Sequence, residues 1–532
     1  MKRSVIACIV ASTMLANAQA PRPKSAQTEF ARGVEWLHSF MYEDAIDAFR
    51  AAQKADQSFA LAYWGEAMSF SQPLWFFEEL PQARAALAKL GPTPDARIAK
   101  AKTPREQGFL RAVEALFGPG EKAARHANYA EAMSKLAADH PQDDEAQTFY
   151  ALALLATLPR GDEALPIRQR AGAIAEAVFK RNPNHPGAAH YILHAYDHGS
   201  LAGKALPAAR AYAKIAPEAS HALHMPAHTF LQLGFWDEAA ASDEASWNAS
   251  IAWAKRRGLS IASRDYHSLA WLQYEWTQQG RFSKTKEAIA FVDQALKASP
   301  PQGLKALTPE HAGGHGYGEQ SEIGRGSGEA ALRNDRGSMR ARYIIESERW
   351  QEMKGQTTFD NIEELFALGL SAVHLRDAAR VRAVIGEFRN AAAPAQAPEL
   401  REQAEIMLRQ MEAVDVFARG QHDAAFTILD GAASLQARMP RPIGRPFPVL
   451  DVNELYGDLL LQVGRAREAI SRFDRVLART PNRSRALLGL ARAYRNAGDA
   501  TNARAAYKRF LTNYRLADPG LPEVQEARDA VR

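Results

Sequence analysis

Residues 464–481 read GRAREAISRFDRVLARTP, and 34 positions after Gly464 the same pattern restarts at Gly498. Gly464, Ala469, Phe473 and Pro481 supply a turn, a small residue, an aromatic and a closing proline; Gly498, Ala503 and Tyr507 repeat the first three. Small residues let two helices cross closely, the aromatic fills the space beside the crossing, and proline cannot continue a helix. The unit is a helical hairpin that cannot bury its apolar face alone, so it needs copies of itself stacked on either side.

Working outward, such copies recur. In YEDAIDAFRAAQKAD, Tyr42, Ala45, Phe49 and Ala52 stand in the same relation, with Ala60 to Ala67 as the next first helix. Weaker copies lie at Tyr129, Ala132 and Leu136, at Gly234 to Trp236 with Ala239, at Gly280 to Phe282, and at Gly420 with Ala425. This is the period of tetratricopeptide (TPR) repeats. It predicts an all-α, TPR-type helical-hairpin solenoid, a right-handed superhelix with a Gly-rich loop insertion. Ala, Leu, Arg and Glu dominate, and no run reads as a convincing strand. The expected organisation is a signal peptide over 1–20, an N-terminal solenoid over 21–302, the Gly-rich loop over 303–330 and middle TPR-like helices over 331–438. A Pro-rich connector over 439–450 then leads to C-terminal repeats over 451–532.

The first twenty residues join Lys2 and Arg3 to an apolar stretch ending Ala18-Gln19-Ala20. That three-part pattern predicts a secretory signal cleaved after Ala20 and a periplasmic or secreted protein. Cleavage removes Cys8, the single cysteine, so the mature chain has no thiolate for a metal or a substrate. It also lowers the basic residues from 66 to 64 against 61 acids, too small an excess to suggest nucleic acid as a partner. The apolar stretch is too short and interrupted to span a membrane.

The sharpest chemical signal lies in NPNHPGAAHYILHAYDHGS, residues 182–200, and IAPEASHALHMPAHTFLQLGFWDEA, residues 215–239. Pro183 and Pro217 are 34 apart, as are His190 and His224, and His194 and His228. Equivalent places on the first helices of adjacent repeats therefore carry histidine, and in a TPR stack those helices line the concave groove side by side. At about 100° per residue, His190 and His194 share one face, and His221, His224 and His228 share another. Asp197 and His198 continue the first set toward Gly199, and His267 stands before Gly280 as His221 stands before Gly234.

Imidazoles one turn apart on one helix, and on its packed neighbour, can converge on an ion about 2 Å from each nitrogen. Without thiolate, the set suits zinc or copper best and iron as well, better than calcium or magnesium. Asp197 could bind directly or fix a histidine tautomer. Other readings stand beside this one: a hydrogen-bonded or pH-sensitive groove for an acidic peptide or small ligand, and plain packing. Pro226, between His224 and His228, tends to kink its helix. His38 falls on the inner face but too many repeats away to be placed with the cluster, and His311 and His315 read as loop residues. Tyr191, Tyr196, Trp236, Tyr266 and Trp271 read mainly as packing. No Gly-x-Ser-x-Gly elbow is present, and no reaction is selected.

The segments LHSFMYEDAIDAFRAAQKAD, LAYWGEAM, AHYILHAYD, HALHMPAHTFLQLGFWDEA, MRARYIIESERW and ELYGDLLLQVGRAREAI, then PNRSRAL, occur in that order. In them the chain resembles a group of bacterial, often exported, TPR proteins sharing AHYxxHAYD and HxxHMPxH segments. The resemblance spans nearly the whole mature chain and implies the fold, with no activity to carry over. His190, His194, His224 and His228 match its recurring histidines, and Asp197 its following acid. Where many of these proteins have a histidine-containing segment, this chain has RMPRPIGRPFP. Expected partners are a protein or peptide in the groove, or a small molecule at a metal site.

Overall fold

The structure, a computed structural model, describes residues 23–159, 161–298, 328–393, 396, 398–441 and 443–532. The expected signal and nearly all of the Gly-rich loop, with His311 and His315, lie outside the described residues. What remains is an all-α TPR-type solenoid of hairpins, helix after helix from Lys24–His38 to Pro522–Val531. The sequence reading of no strand fails at one place: Ser71–Gln72 and Phe77–Glu78 pair as a short antiparallel ribbon. Between them, Pro73–Trp75 forms a single 3-10 turn.

Why the hairpins stack is visible in one recurring contact. A Cβ added at Gly33 would fall 2.7 Å from the Phe49 ring, and one at Gly65 2.3 Å from it. Gly457 and Gly489 stand to Phe473 at the same 2.7 and 2.3 Å. In both cases glycine, phenylalanine and glycine succeed one another at intervals of 16 residues. The aromatic of a second helix thus enters a notch made jointly by the first helix of its own repeat and that of the next. Phe49 and Phe473 are wholly buried by it.

The chain forms two compact units. Of the described residues, the first holds 23–197 and 203–226; the second holds 198–202, 227–298 and 328–532. In the first, the Pro186–Ala195 helix starts at His185, whose ring Nδ1 accepts the Ala188 N–H at 3.2 Å. In the second, one large apolar core runs from the Trp236–Arg256 helix to the Ser484–Asn496 helix, and a smaller one packs the last helices. The Ser220–Leu233 helix keeps Pro226 inside it, and the unit boundary falls at that residue.

Candidate metal centre

The repeat register puts His190 and His194 one turn apart on the Pro186–Ala195 helix, and His221 and His224 at the start of the Ser220–Leu233 helix. In the first unit three of these rings converge. Nε2 of His190 lies 3.0 Å from Nε2 of His194 and 3.1 Å from Nε2 of His221. The partner across the helices is His221, one turn before the repeat-equivalent His224. Side chains of packed helices settle between those of the neighbour instead of on their equivalents, which accounts for the offset. His224 is buried on the same helix, its ring centroid 6.4 Å from that of His221.

One contact decides the chemistry of His190. Its Nδ1 lies 2.5 Å from the backbone carbonyl oxygen of His38, which can only accept, so the proton sits on Nδ1. The Nε2 lone pair then points at two other imidazole nitrogens. One lone pair accepts one N–H, whereas a cation satisfies three lone pairs together. Nitrogens about 2 Å from a tetrahedral ion stand about 3.3 Å apart, close to the spacing seen. A histidine ligand whose other nitrogen donates to a carbonyl is the usual arrangement in metal sites.

His38 is itself anchored. Its Nε2 lies 2.6 Å from Glu145 Oε2, and its Nδ1 lies 2.9 Å from the Tyr191 hydroxyl. Burial, against the pull of Glu145, lowers the His38 pKa. Burial alone would raise the Glu145 carboxyl, but His38 and His185 hold it well below the ordinary range. The consistent tautomer has Nε2–H donating to Glu145 and Tyr191 O–H donating to Nδ1. Gly187 makes room for this ring, since a Cβ there would fall 2.3 Å from His38 Nδ1.

His185 completes a second group with His38 and Glu145. Its Nε2 faces Glu145 Oε1 at 3.5 Å while its Nδ1 accepts the Ala188 N–H. A neutral ring accepting at Nδ1 carries its proton on Nε2, so His185 has no lone pair left for a metal. This second group is an anchor, and the His190 group is the metal candidate.

Aromatic rings wall the candidate. Phe40 has its centroid 4.4 Å from His190, 5.6 Å from His194 and 5.4 Å from His221; Trp75 stands 5.8 Å from His221. Phe40 takes a left-handed φ of 54° at the hairpin-turn place where the C-terminal repeats have Gly464 and Gly498. A bulky residue there carries strain of about 1–2 kcal/mol, the kind of cost that collects at working sites. Sequence reasoning did not find Phe40, Trp75 or Glu145. The signal within reach was Phe40 itself, five places before Ala45 where a glycine belongs.

The remaining candidates are placed elsewhere. Asp197 is buried just past the end of its helix, outside the converging group. His198 turns its Nδ1 to Ser200, with Oγ at 2.8 Å and the backbone N–H at 3.3 Å. In the second unit, His228 and His267 bring ring nitrogens within 4.8 Å of each other. Trp271 lies against both, 4.2 Å from His228 and 5.4 Å from His267 between centroids. No described helix is long and apolar enough to cross a membrane.

The family described as Tetratricopeptide repeat matches residues 457–518, so the C-terminal hairpins are TPR units. No curated protein matches the chain. Among solved structures, the human IFIT1 dimer with m7Gppp-AAAA is similar at 14% identity and TM-score 0.32, over 91% of this chain and 95% of that one. Yeast Tom70 gives 14% and 0.30, over 96% of each chain. The APC/C hetero-tetramer Cut9-Hcn1 gives 12% and 0.29, over 95% of this chain and 76% of that one. Superpositions this loose carry no argument about what the chain does.

Proposed function

We propose that the first unit binds one transition-metal ion on Nε2 of His190, His194 and His221. Zinc or copper suits this all-imidazole set best, and iron suits it as well. The protein, in this reading, is exported after cleavage following Ala20 and acts in the periplasm or outside the cell. It serves there as a metal-dependent binding protein, or as a metalloenzyme in which three protein ligands leave a coordination position for a small molecule. The observation that carries the reading is the His190 Nδ1 contact with the His38 carbonyl, because it fixes a lone pair on the nitrogen at the centre of the group.

TPR repeats are an interaction scaffold, and that supports a second reading in which the histidines hydrogen-bond a peptide or envelope partner. Metal analysis of the full mature chain, purified without a histidine tag, separates the two. The metal reading expects about one ion per chain, lost in His190→Ala and in His221→Ala. If the protein is metal-free and neither zinc nor copper changes its melting temperature, the scaffold reading takes its place.

A further inference from the structure

The second unit buries an arginine whose neighbours use only part of its donors. Arg342, in MRARYIIESERW on the Glu329–Ser347 helix, is 2% exposed. Its Nη2 donates to the Pro446 carbonyl at 2.8 Å and to Glu363 Oε1 at 3.3 Å, and its guanidinium lies 5.3 Å from the Tyr274 ring centre. Nε and Nη1 are buried, and among the described residues neither has a hydrogen-bond partner. A guanidinium has five N–H donors, so three of them are left over here.

A second guanidinium belongs to the residue next to Pro446, whose carbonyl Arg342 bonds. Arg445, on the Pro-rich connector, reaches Asp335 Oδ1 at 3.6 Å through Nη2 and leaves Nη1 buried without a partner among the described residues. Burial lowers the pKa of Arg342 and the charge of Arg445 lowers it further, while Glu363 pulls it up. Buried donors without acceptors are costly, and a like charge nearby adds to the cost. Glu363 and Asp335 each face one edge of a guanidinium and leave other donors without acceptors. An oxyanion accepts from several such donors at once through charge-assisted bonds.

Histidines adjoin the place. A Cβ at Gly444, next to Arg445, would fall 2.4 Å from the Trp271 indole, the ring stacked on His228. Burial raises the Asp335 carboxyl pKa, against the pull of Arg445 and His267. We propose that Arg342 and Arg445 form a binding site for a small oxyanion, a carboxylate or phosphate group, beside His228 and His267. Neither a metal at His190 nor export is needed for it. The connector that lacks the histidine of similar proteins supplies an anion-binding arginine.

The test is isothermal titration of the full mature chain with inorganic phosphate and, separately, with acetate, each against chloride at matched ionic strength. Saturable binding in either arm is expected, and the arm that binds tighter names the group. Arg445→Gln, on the half-buried connector, should weaken that binding about tenfold or more, as should Arg342→Lys, which keeps the charge and loses the fork. Should Arg342→Lys fail to fold, Arg445→Gln decides alone, its fold checked by circular dichroism and by an unchanged melting temperature without anion. The proposal falls if neither anion binds beyond the chloride control, or if Arg445→Gln binds as wild type.

Discussion

The same repeat positions are put to opposite uses in two regions. Four and eleven residues after the closing proline stand His221 and His228 after Pro217, but Arg485 and Arg492 after Pro481. In the C-terminal repeat each arginine is answered by carboxylates. Arg485 meets Glu348 at 2.9 Å, Glu454 at 2.9 Å and Asp458 at 3.1 Å, and Arg492 meets Glu526 at 2.7 Å. In the first unit His221 stands against other imidazoles and aromatic rings. A TPR first helix offers the same places to any side chain. Arginine there is neutralised from within the chain, whereas a cluster of imidazole lone pairs gains most from a cation brought from outside.

The largest expected effect lies on the arginine side. Arg483, opposite Glu346 at 2.7 Å and Glu454 at 2.5 Å, is 1% exposed, as are both carboxylates. Arg483→Met leaves the buried Glu346 without its cation and Glu454 with Arg485 alone, and breaking a buried pair in this way costs about 3–5 kcal/mol. Urea unfolding measures it. A loss under about 1 kcal/mol would mean that these charges are hydrated, and the internal neutralisation that defines this side of the comparison would be gone.

Next in size is a proton. The first unit buries His126, with both ring nitrogens unpartnered among the described residues and Glu78 4.0 Å away. Burial chiefly, with Lys122 and Arg125, lowers its pKa to about 4 against the pull of Glu78. The unfolded chain protonates first, so this contribution is complete above about pH 6.5 and shrinks as pH falls toward about 4, by up to about 3 kcal/mol. Arg483, held well above its ordinary pKa by Glu346 and Glu454 despite burial, keeps its charge throughout. Hydrogen exchange read peptide by peptide should show protection of the Lys122–Asp139 helix falling from about pH 7 to about pH 5 while that of Ser484–Asn496 stays level. His126→Asn should flatten the first slope. Equal slopes in both helices would erase the contrast.

How much of this was legible follows from what a period can carry. The 34-residue spacing named the helices and the faces because both depend on local sequence and repeat register. It paired His190 with His224, where packing offset selects His221, since register fixes which helices meet and not which side chains interlock. His38 and Glu145 come from distant repeats, and no spacing argument ties His38 to His190 across 152 residues. Arg342 sat within a quoted segment, yet an arginine's worth depends on which of its donors are answered, and only coordinates hold that information. The notch contacts of Phe49 and Phe473 are the opposite case: glycine, aromatic and glycine at equal intervals could have been read directly.

The smallest effect tests whether the anchor behind His190 acts by position or by charge. Glu145 does not touch His190; it holds the His38 ring, and the His38 carbonyl holds the His190 ring. Glu145→Gln keeps an acceptor for the His38 N–H and removes only the charge. Glu145→Ala removes the acceptor and lets His38 swing in the space that Gly187 leaves. Losing an outer partner of a histidine ligand costs about 10–100-fold in metal affinity. Glu145→Ala should therefore weaken zinc binding about tenfold, measured by competition with a chelator, and Glu145→Gln only about twofold. Equal losses in the two variants would mean that the carboxylate charge itself draws the ion. No loss in either would mean that the His38 carbonyl needs no support, and the His190 lone pair would then be set by the backbone alone.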